Sequence, residues 1–145
     1  MQIKQISVFL ENQPGRLKDA IGVLSAHGIN LRALSLAETS DYGVLRLIVD
    51  DPEACRSILK ENDFTVGITD VVAVEVKDEV GGLSKVLETV YACGLNIEYM
   101  YAFVERYRDS AVLVFRFDSA ADAAEKLKAK GLSIHPNLSF ARTPP

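Results

Sequence analysis

The feature that most constrains the fold of this chain is an internal repeat. Moving the first half forward by 66 positions places Gly28 on Gly94 and Asn30 on Asn96, and apolar residues between them match apolar ones. Beyond the second strand of each copy the offset becomes 68, because the second copy has two extra residues in one hairpin loop. Repeated sequence indicates repeated structure. The 145 residues therefore predict two similar domains, residues 1–70 and 71–145.

Each copy has the pattern strand, helix, strand, strand, helix, strand. In the first copy Ile6, Val8 and Leu10 recur at every second position, as in a strand with two different faces. The second helix of each copy begins at a predicted N-cap, Asp51 in the first copy and Ser119 in the second. The first helix of copy one is predicted from apolar residues at helical spacing: Leu17, Ala20, Ile21 and Leu24. In copy two the matching stripe is Leu83, Val86, Leu87 and Val90.

This pattern predicts an α+β fold. A βαββαβ unit with right-handed crossovers places both helices on one face of a four-stranded antiparallel sheet, which is the ferredoxin-like arrangement. We expect two such units packed side by side, with the boundary near residues 69–71. The strands on either side of that boundary are predicted at 64–68 and 72–76. Two later strands are predicted at 95–104 and 134–140, and the last residues, 141–145, are expected to fray.

Composition excludes several function classes. The formal net charge of -4 gives no long-range attraction to nucleic acid or to an anionic membrane. No stretch approaches the roughly 20 apolar residues that span a bilayer, and the chain opens on a strand pattern instead of a signal peptide, so we expect a cytoplasmic protein. Cys55 and Cys93 have no second Cys or His at a metal-ligand spacing and are predicted to be small buried residues. No cofactor is expected.

The turn at residues 12–17 is the first candidate binding element. It leads from a strand directly into a helix, where backbone N–H groups lack intrahelical partners and favour an anion. Pro14 fixes φ, Gly15 allows close backbone approach, and Asn12 offers a donor and an acceptor. The same turn can also be explained without any ligand, as a Pro-Gly turn that opens a helix.

The strand-entry amides are the second candidate element. Asn30 and Asn96 each stand two residues after the glycine that ends a helix, between apolar neighbours. They could satisfy local backbone groups or reach a ligand. In the aromatic segment 98–103, alternation places Tyr99 and Tyr101 on one face and Met100 on the other, which favours packing over a role in a pocket wall.

Taken together, these motifs resemble ACT domains, the amino-acid-sensing modules of biosynthetic enzymes. The resemblance covers nearly the whole chain and leaves no room for a catalytic domain. It implies a site that combines Asn12 and its turn with Asn96, and a mirror site that combines Asp78 and its turn with Asn30. The implied ligand-binding residues are Asn12, Gln13, Pro14, Gly15, Arg16, Leu17, Asn30, Asp78, Glu79, Val80, Gly81, Gly82, Leu83 and Asn96. Asp78 replaces an amide with a carboxylate and Val80 replaces a proline, so the second site would either favour an ammonium or a basic side chain or be empty.

The predicted function is a non-catalytic sensor that binds a free amino acid where two ACT domains meet and regulates amino-acid metabolism. An enzyme would need a nucleophile with a base or paired carboxylates in a cleft, and the sequence has neither pattern. The alternative is a regulatory subunit that docks on a biosynthetic enzyme without a ligand of its own, an organisation similar to acetolactate synthase small subunits. ACT-like sheets often pair again, so a homodimer is expected.

Overall fold

The computed structural model describes residues 2–38 and 41–141. The sequence predicts a hairpin loop at residues 38–41, and two of its residues, Thr39 and Ser40, lie outside these ranges, as does most of the tail expected to fray. The elements are β1 (Ile3–Glu11), α1 (Arg16–Ala26), β2 (Leu31–Glu38), β3 (Tyr42–Val49), α2 (Pro52–Glu61), β4 (Thr65–Lys77), α3 (Gly82–Ala92), β5 (Tyr99–Ala102), β6 (Ser110–Arg116), α4 (Ala120–Ala129), β7 (Ile134–His135) and the 3-10 helix η1 (Leu138–Ala141).

The chain divides into two compact units. The N-terminal unit is Lys4–Thr69, and the C-terminal unit begins at Asp70 and includes Gln2 and Ile3. Strand β4 contributes residues to both units, since it runs through the division without a break. The strands predicted at 64–68 and 72–76 are therefore one element.

In the N-terminal unit the strand order is β2-β3-β1-β4. Strand β3 pairs antiparallel with β1 on one side and with β2 on the other. Both helices pack on the same face of this sheet, because residues of α1 and α2 share one core with the alternate residues of β1 and β3. That core contains Ile6, Val8, Leu10, Ala20, Leu24, Leu45, Leu47, Val49, Cys55, Leu59 and Phe64.

The C-terminal unit repeats this arrangement. Strand β4 pairs with β6 and, at Ala73 and Val74, with β7, while β5 pairs with β6. The matching core contains Val72, Val74, Val76, Val86, Val90, Phe115, Phe117, Ala120, Ala123, Ala124 and Leu127. Each unit thus has the predicted α+β, ferredoxin-like fold, with two helices covering one sheet face.

The helix starts fall into two kinds. In α2 the Asp51 side chain accepts a hydrogen bond from the Ala54 N–H at 3.1 Å, and in α4 the Ser119 hydroxyl accepts one from the Asp122 N–H at 3.3 Å. Both predicted N-caps are therefore confirmed. Helices α1 and α3 instead begin after a left-handed glycine and have no side-chain cap.

Three sequence predictions differ from the structure at the level of elements. Strand β5 is confined to Tyr99–Ala102, and β7 to Ile134–His135, after which the chain forms η1. The helix stripes are narrower than predicted, because Leu17, Leu83 and Leu87 are 36–39% exposed. In the described ranges, no helix combines the length and the apolar character needed to cross a bilayer.

Candidate functional site

A small hollow lies beside the start of α1, within the N-terminal unit. Its volume is about 60 Å³, well below the roughly 300 Å³ at which typical small-molecule sites begin. A hollow of this size holds one end of a small ligand and leaves the rest exposed. Its walls are Leu10, Glu11, Asn12, Gln13, Arg16, Leu17, Leu36, Glu38 and Gly43.

Gly43 is part of the wall of this hollow. It pairs with Leu10 on one side and with Glu38 on the other, so the three residues form a row across β1, β3 and β2. Directly paired residues share a face of the sheet. A Cβ at Gly43 would lie 3.4 Å from Leu36 Cδ1, which is close to an ordinary van der Waals contact.

The turn before α1 presents backbone donors to the same place. Gly15 has a φ of 90°, which a residue without Cβ adopts at no steric cost. Its carbonyl accepts a hydrogen bond from the Asp19 N–H at 2.8 Å, but no side chain caps the helix. A capping oxygen would be bound by the amides of the second and third helical residues, Leu17 and Lys18. An anion that reached this point would satisfy the same donors.

Arg16 adds a fixed cation to the hollow. Its guanidinium carbon lies 4.5 Å from the centre of the Phe64 ring, and its side chain is 25% exposed. Arg16 Nε is 3.6 Å from Glu11 Oε2, and Nη1 is 3.9 Å from Asp19 Oδ2. These separations are longer than hydrogen bonds, and within the described residues the buried Nε has no acceptor. Arg16 therefore has donor capacity left for a carboxylate.

The second turn has the same backbone form. Gly81 has a φ of 84°, and its carbonyl accepts a hydrogen bond from the Lys85 N–H at 3.1 Å. Its side chains differ, because Asp78 Oδ2 lies 2.8 Å from Arg106 Nη2. The carboxylate that distinguishes this turn already has a cationic partner, which weakens the expected preference for an ammonium ligand.

Some of the predicted site residues are brought together and others are not. Asn12, Gln13, Arg16 and Leu17 line the hollow, whereas Pro14 and Gly15 shape the turn outside its walls. In the second turn Glu79 and Gly82 line a separate groove, and Asp78, Val80, Gly81 and Leu83 do not. Asn30 and Asn96 are exposed, just before β2 and β5, and their contact with a ligand stays a prediction.

Sequence reasoning missed five residues of the hollow: Leu10, Glu11, Leu36, Glu38 and Gly43. The available signal was a glycine near the start of a strand that the sequence already assigned to a hairpin. Among the residues that the structure describes, no three His, Cys, Asp or Glu side chains come together as metal ligands. The hollow is therefore a site with polar and charged side chains, backbone donors and leucine walls.

Comparison with solved structures supports this fold. Protein BT0572 from Bacteroides thetaiotaomicron is similar with a TM-score of 0.89 and 40% identity, over 99% of this chain and 98% of that one. The ligand-free regulatory subunit of aspartate kinase from Thermus thermophilus is similar with a TM-score of 0.63, over 88% of this chain and 91% of that one. Its 15% identity shows a shared fold alone. No curated protein matches this chain.

The family follows from the sequence as well as from the fold. The profile of the ACT domain pair family matches residues 1–142. This range includes both turns, both glycine-started helices and both copies of the repeat. The chain belongs to the ACT domain pair family.

Proposed function

We propose that this protein is a non-catalytic regulatory sensor that binds a free amino acid at the start of α1. The observation that carries the proposal is the pairing of an uncapped helix start with Arg16 at one hollow. Both can donate hydrogen bonds to an anion, and every free amino acid carries a carboxylate that can accept them. The ACT family and the regulatory neighbours support a regulatory role in place of a catalytic one.

The other charges of the hollow suit the ammonium of the same ligand. Glu11 and Glu38 line it together with Arg16, so cationic and anionic groups stand within one small site. The amide side chains of Asn12 and Gln13 supply neutral hydrogen-bonding groups between them. Leu17 and Leu36, which are 39% and 41% exposed, offer an apolar wall for part of the ligand's side chain.

The hollow is too small to enclose an amino acid by itself. The remainder of the binding site, in this proposal, comes from the second ACT domain through Asn96, as the resemblance to ACT domains implies. Ligand that binds only the folded, assembled site would stabilise it by linkage, about 2.7 kcal/mol at a concentration 100 times Kd.

Calorimetry of the purified chain against the twenty amino acids tests the proposal. We expect one or a few of them to bind, and Arg16→Gln and Asn12→Ala to weaken that binding about tenfold each, as loss of a charge-assisted or buried hydrogen bond does. Asn137→Ala is the matched control. Asn137 lies in the link between β7 and η1, and it is in the wall of neither the hollow nor the separate groove at the second turn. Unchanged affinity in both site variants would show that this hollow is not the amino-acid binding site.

The second candidate function is a regulatory subunit that docks on a biosynthetic enzyme. It is favoured by an apolar row on α3, where Leu83, Leu87 and Tyr91 recur at four-residue spacing with exposures of 39%, 36% and 86%. Large side chains exposed in a row are typical of interaction surfaces. If no amino acid binds in the calorimetric screen, this second function gains support over the first.

A further inference from the structure

Arg16 packs on a residue that does not line the hollow beside α1. Its guanidinium carbon lies 4.5 Å from the centre of the Phe64 ring, and Phe64 lies between α2 and β4, outside the walls of the hollow. Phe64 is buried and belongs to the core of the N-terminal unit. A guanidinium over an aromatic face at this distance makes a favourable cation–π contact. The ring therefore gives the Arg16 side chain a rigid surface on which to lie.

The internal repeat shows that the fold itself does not require this contact. The two copies place Gly82 at the position of Arg16 and Leu132 at the position of Phe64. The positions of Phe64 and Leu132 are equivalent in the structure, because each N–H donates to the carbonyl five residues earlier, at 3.0 Å and 3.2 Å. The C-terminal unit thus forms a matching helix start and a matching core with neither side chain. The stacked pair is an addition to the fold of the N-terminal unit.

The contacts of Arg16 leave its N–H groups available. Stacking uses the flat face of a guanidinium, whose N–H groups lie in its plane and are directed outwards. Arg16 Nε and Nη1 lie 3.6 Å and 3.9 Å from the carboxylates of Glu11 and Asp19, and both acids are exposed. Exposed ion pairs hold a side chain only weakly. Of these three contacts, the one with the buried Phe64 ring therefore determines where the guanidinium lies.

We propose that Phe64 is a positioning residue, which fixes the plane of the Arg16 guanidinium so that its N–H groups meet the carboxylate of the bound amino acid. This role rests on the proposed amino-acid site and extends it to a residue outside the hollow. A carboxylate binds best to two parallel N–H groups of a planar guanidinium, so the orientation of that plane decides the strength of the contact. A guanidinium that moved freely would have to be ordered on binding, which lowers affinity.

NMR of the ligand-free, isotope-labelled full chain tests the positioning directly. We expect the Arg16 Nε–H signal to be shifted upfield by the Phe64 ring and, because the Nε atom is buried, to exchange slowly with water. Both features should be lost in Phe64→Leu, a change that introduces the residue type found at the equivalent position of the C-terminal unit. Unchanged Arg16 signals in this variant would overturn the proposal.

Calorimetry with the twenty free amino acids, one at a time, tests the consequence for binding. For each amino acid that binds the parent chain, Phe64→Leu should weaken binding about fivefold, and it should have no further effect when combined with Arg16→Gln. A general loss of stability would act in both backgrounds, so the dependence on Arg16 separates positioning from a structural role. Equal weakening by Phe64→Leu in the two backgrounds would contradict the proposal.

Phe117→Leu is the matched control, because it removes a ring of the same size from the core of the C-terminal unit. It should bind each amino acid as the parent chain does. A loss of affinity as large as that of Phe64→Leu would assign the effect to core truncation and overturn the role of Phe64. A parent chain that binds no amino acid would overturn the proposed function together with this role, whereas normal binding by Phe64→Leu would overturn this role alone.

Discussion

Two glycines in helical positions illustrate how strongly a residue's surroundings determine its role. Gly22 lies in the middle of α1, where a Cβ would have no other heavy atom within 4 Å, whereas Gly82 begins α3 against the Lys77 carbonyl. The position of Gly22 therefore has room for a side chain, and the position of Gly82 does not. Because both are glycines within similar helices, the pair provides its own control.

We predict opposite effects of alanine at these two positions. Gly22→Ala should raise the free energy of unfolding by about 0.5–1 kcal/mol, since alanine loses less backbone entropy than glycine in a helix. Gly82→Ala should lower it by about 1–3 kcal/mol through steric overlap. Urea unfolding followed by circular dichroism measures both. A Gly82→Ala variant as stable as the parent chain would show that the α3 start is not tightly packed.

Cys55 links a buried side chain to the pH dependence of stability. It is fully buried in α2, and burial, together with the nearby Asp51 carboxylate, raises the pKa of its thiol from 9.0 to about 11. The unfolded chain ionises this thiol at the ordinary pKa, so it loses a proton that the folded chain keeps. The associated stability is therefore present below pH 9 and is lost as the pH rises towards 11.

Urea unfolding between pH 9 and 11 should show this effect. We predict that the free energy of unfolding of the parent chain falls by up to about 1.4 kcal/mol per pH unit more steeply than that of Cys55→Ala. Lysines and tyrosines titrate in the same window, and the variant subtracts their contribution. Parallel pH profiles for the two proteins would show that the thiol does not contribute.

At the scale of elements, the helix starts were more predictable than the strand ends. Asp51 and Ser119 are local signals, because a capping oxygen acts on an amide three residues away. Strand ends depend on whether each residue can form backbone hydrogen bonds with the neighbouring strand. Pro136 has no N–H to donate, so the ladder between β7 and β4 ends at His135 although the apolar pattern continues to Phe140.

The segment after β7 does not continue the strand that its sequence predicts. Phe140 does not extend a strand but packs against aromatic rings of the same unit, at 4.3 Å from His135 and 5.0 Å from Phe103 between ring centres. Alternation cannot reveal the contact with Phe103, because it joins residues that are far apart in the chain. The Tyr99 and Tyr101 rings, by contrast, stack as alternation predicted, and Met100 faces the core.

In the candidate site, too, the local features could be predicted from the sequence and the long-range features could not. The turn with Asn12 and Arg16 could be predicted, since a glycine before an apolar helical stripe is a local pattern. The hollow itself could not, because it results from the register that aligns Leu10, Gly43 and Glu38 on three strands. The stacking of Arg16 on Phe64 likewise joins two residues separated by the rest of α1, two strands and α2.

At the scale of the whole molecule, the repeat gives one chain two helix starts of the same backbone form with different side chains around them. Duplicated backbone gives two helix starts with nearly equal glycine φ angles, 90° and 84°. Side chains at matched positions have then diverged, with Arg16 against Gly82 and Asp19 against Lys85. Both helix starts leave backbone N–H groups without a side-chain cap, and the charged side chains around them differ between the two units.

The expected assembly follows from the surfaces that the described residues leave open. Strand β2 pairs only with β3 in this part of the chain, and the row of Leu83, Leu87 and Tyr91 on α3 is exposed. An unpaired strand edge and exposed apolar side chains both favour contact with another protein surface. A second copy of the chain presents the same features in the same geometry, and two-fold dimers bury such self-complementary surfaces.

We therefore predict that the protein is a homodimer, to be measured by sedimentation equilibrium. A dimer that unfolds to separate chains gains stability by mass action, about 1.4 kcal/mol for each tenfold rise in concentration, so its Tm should rise with protein concentration. A monomer has a Tm that does not change with concentration. Sedimentation as a single chain together with a constant Tm would contradict the prediction.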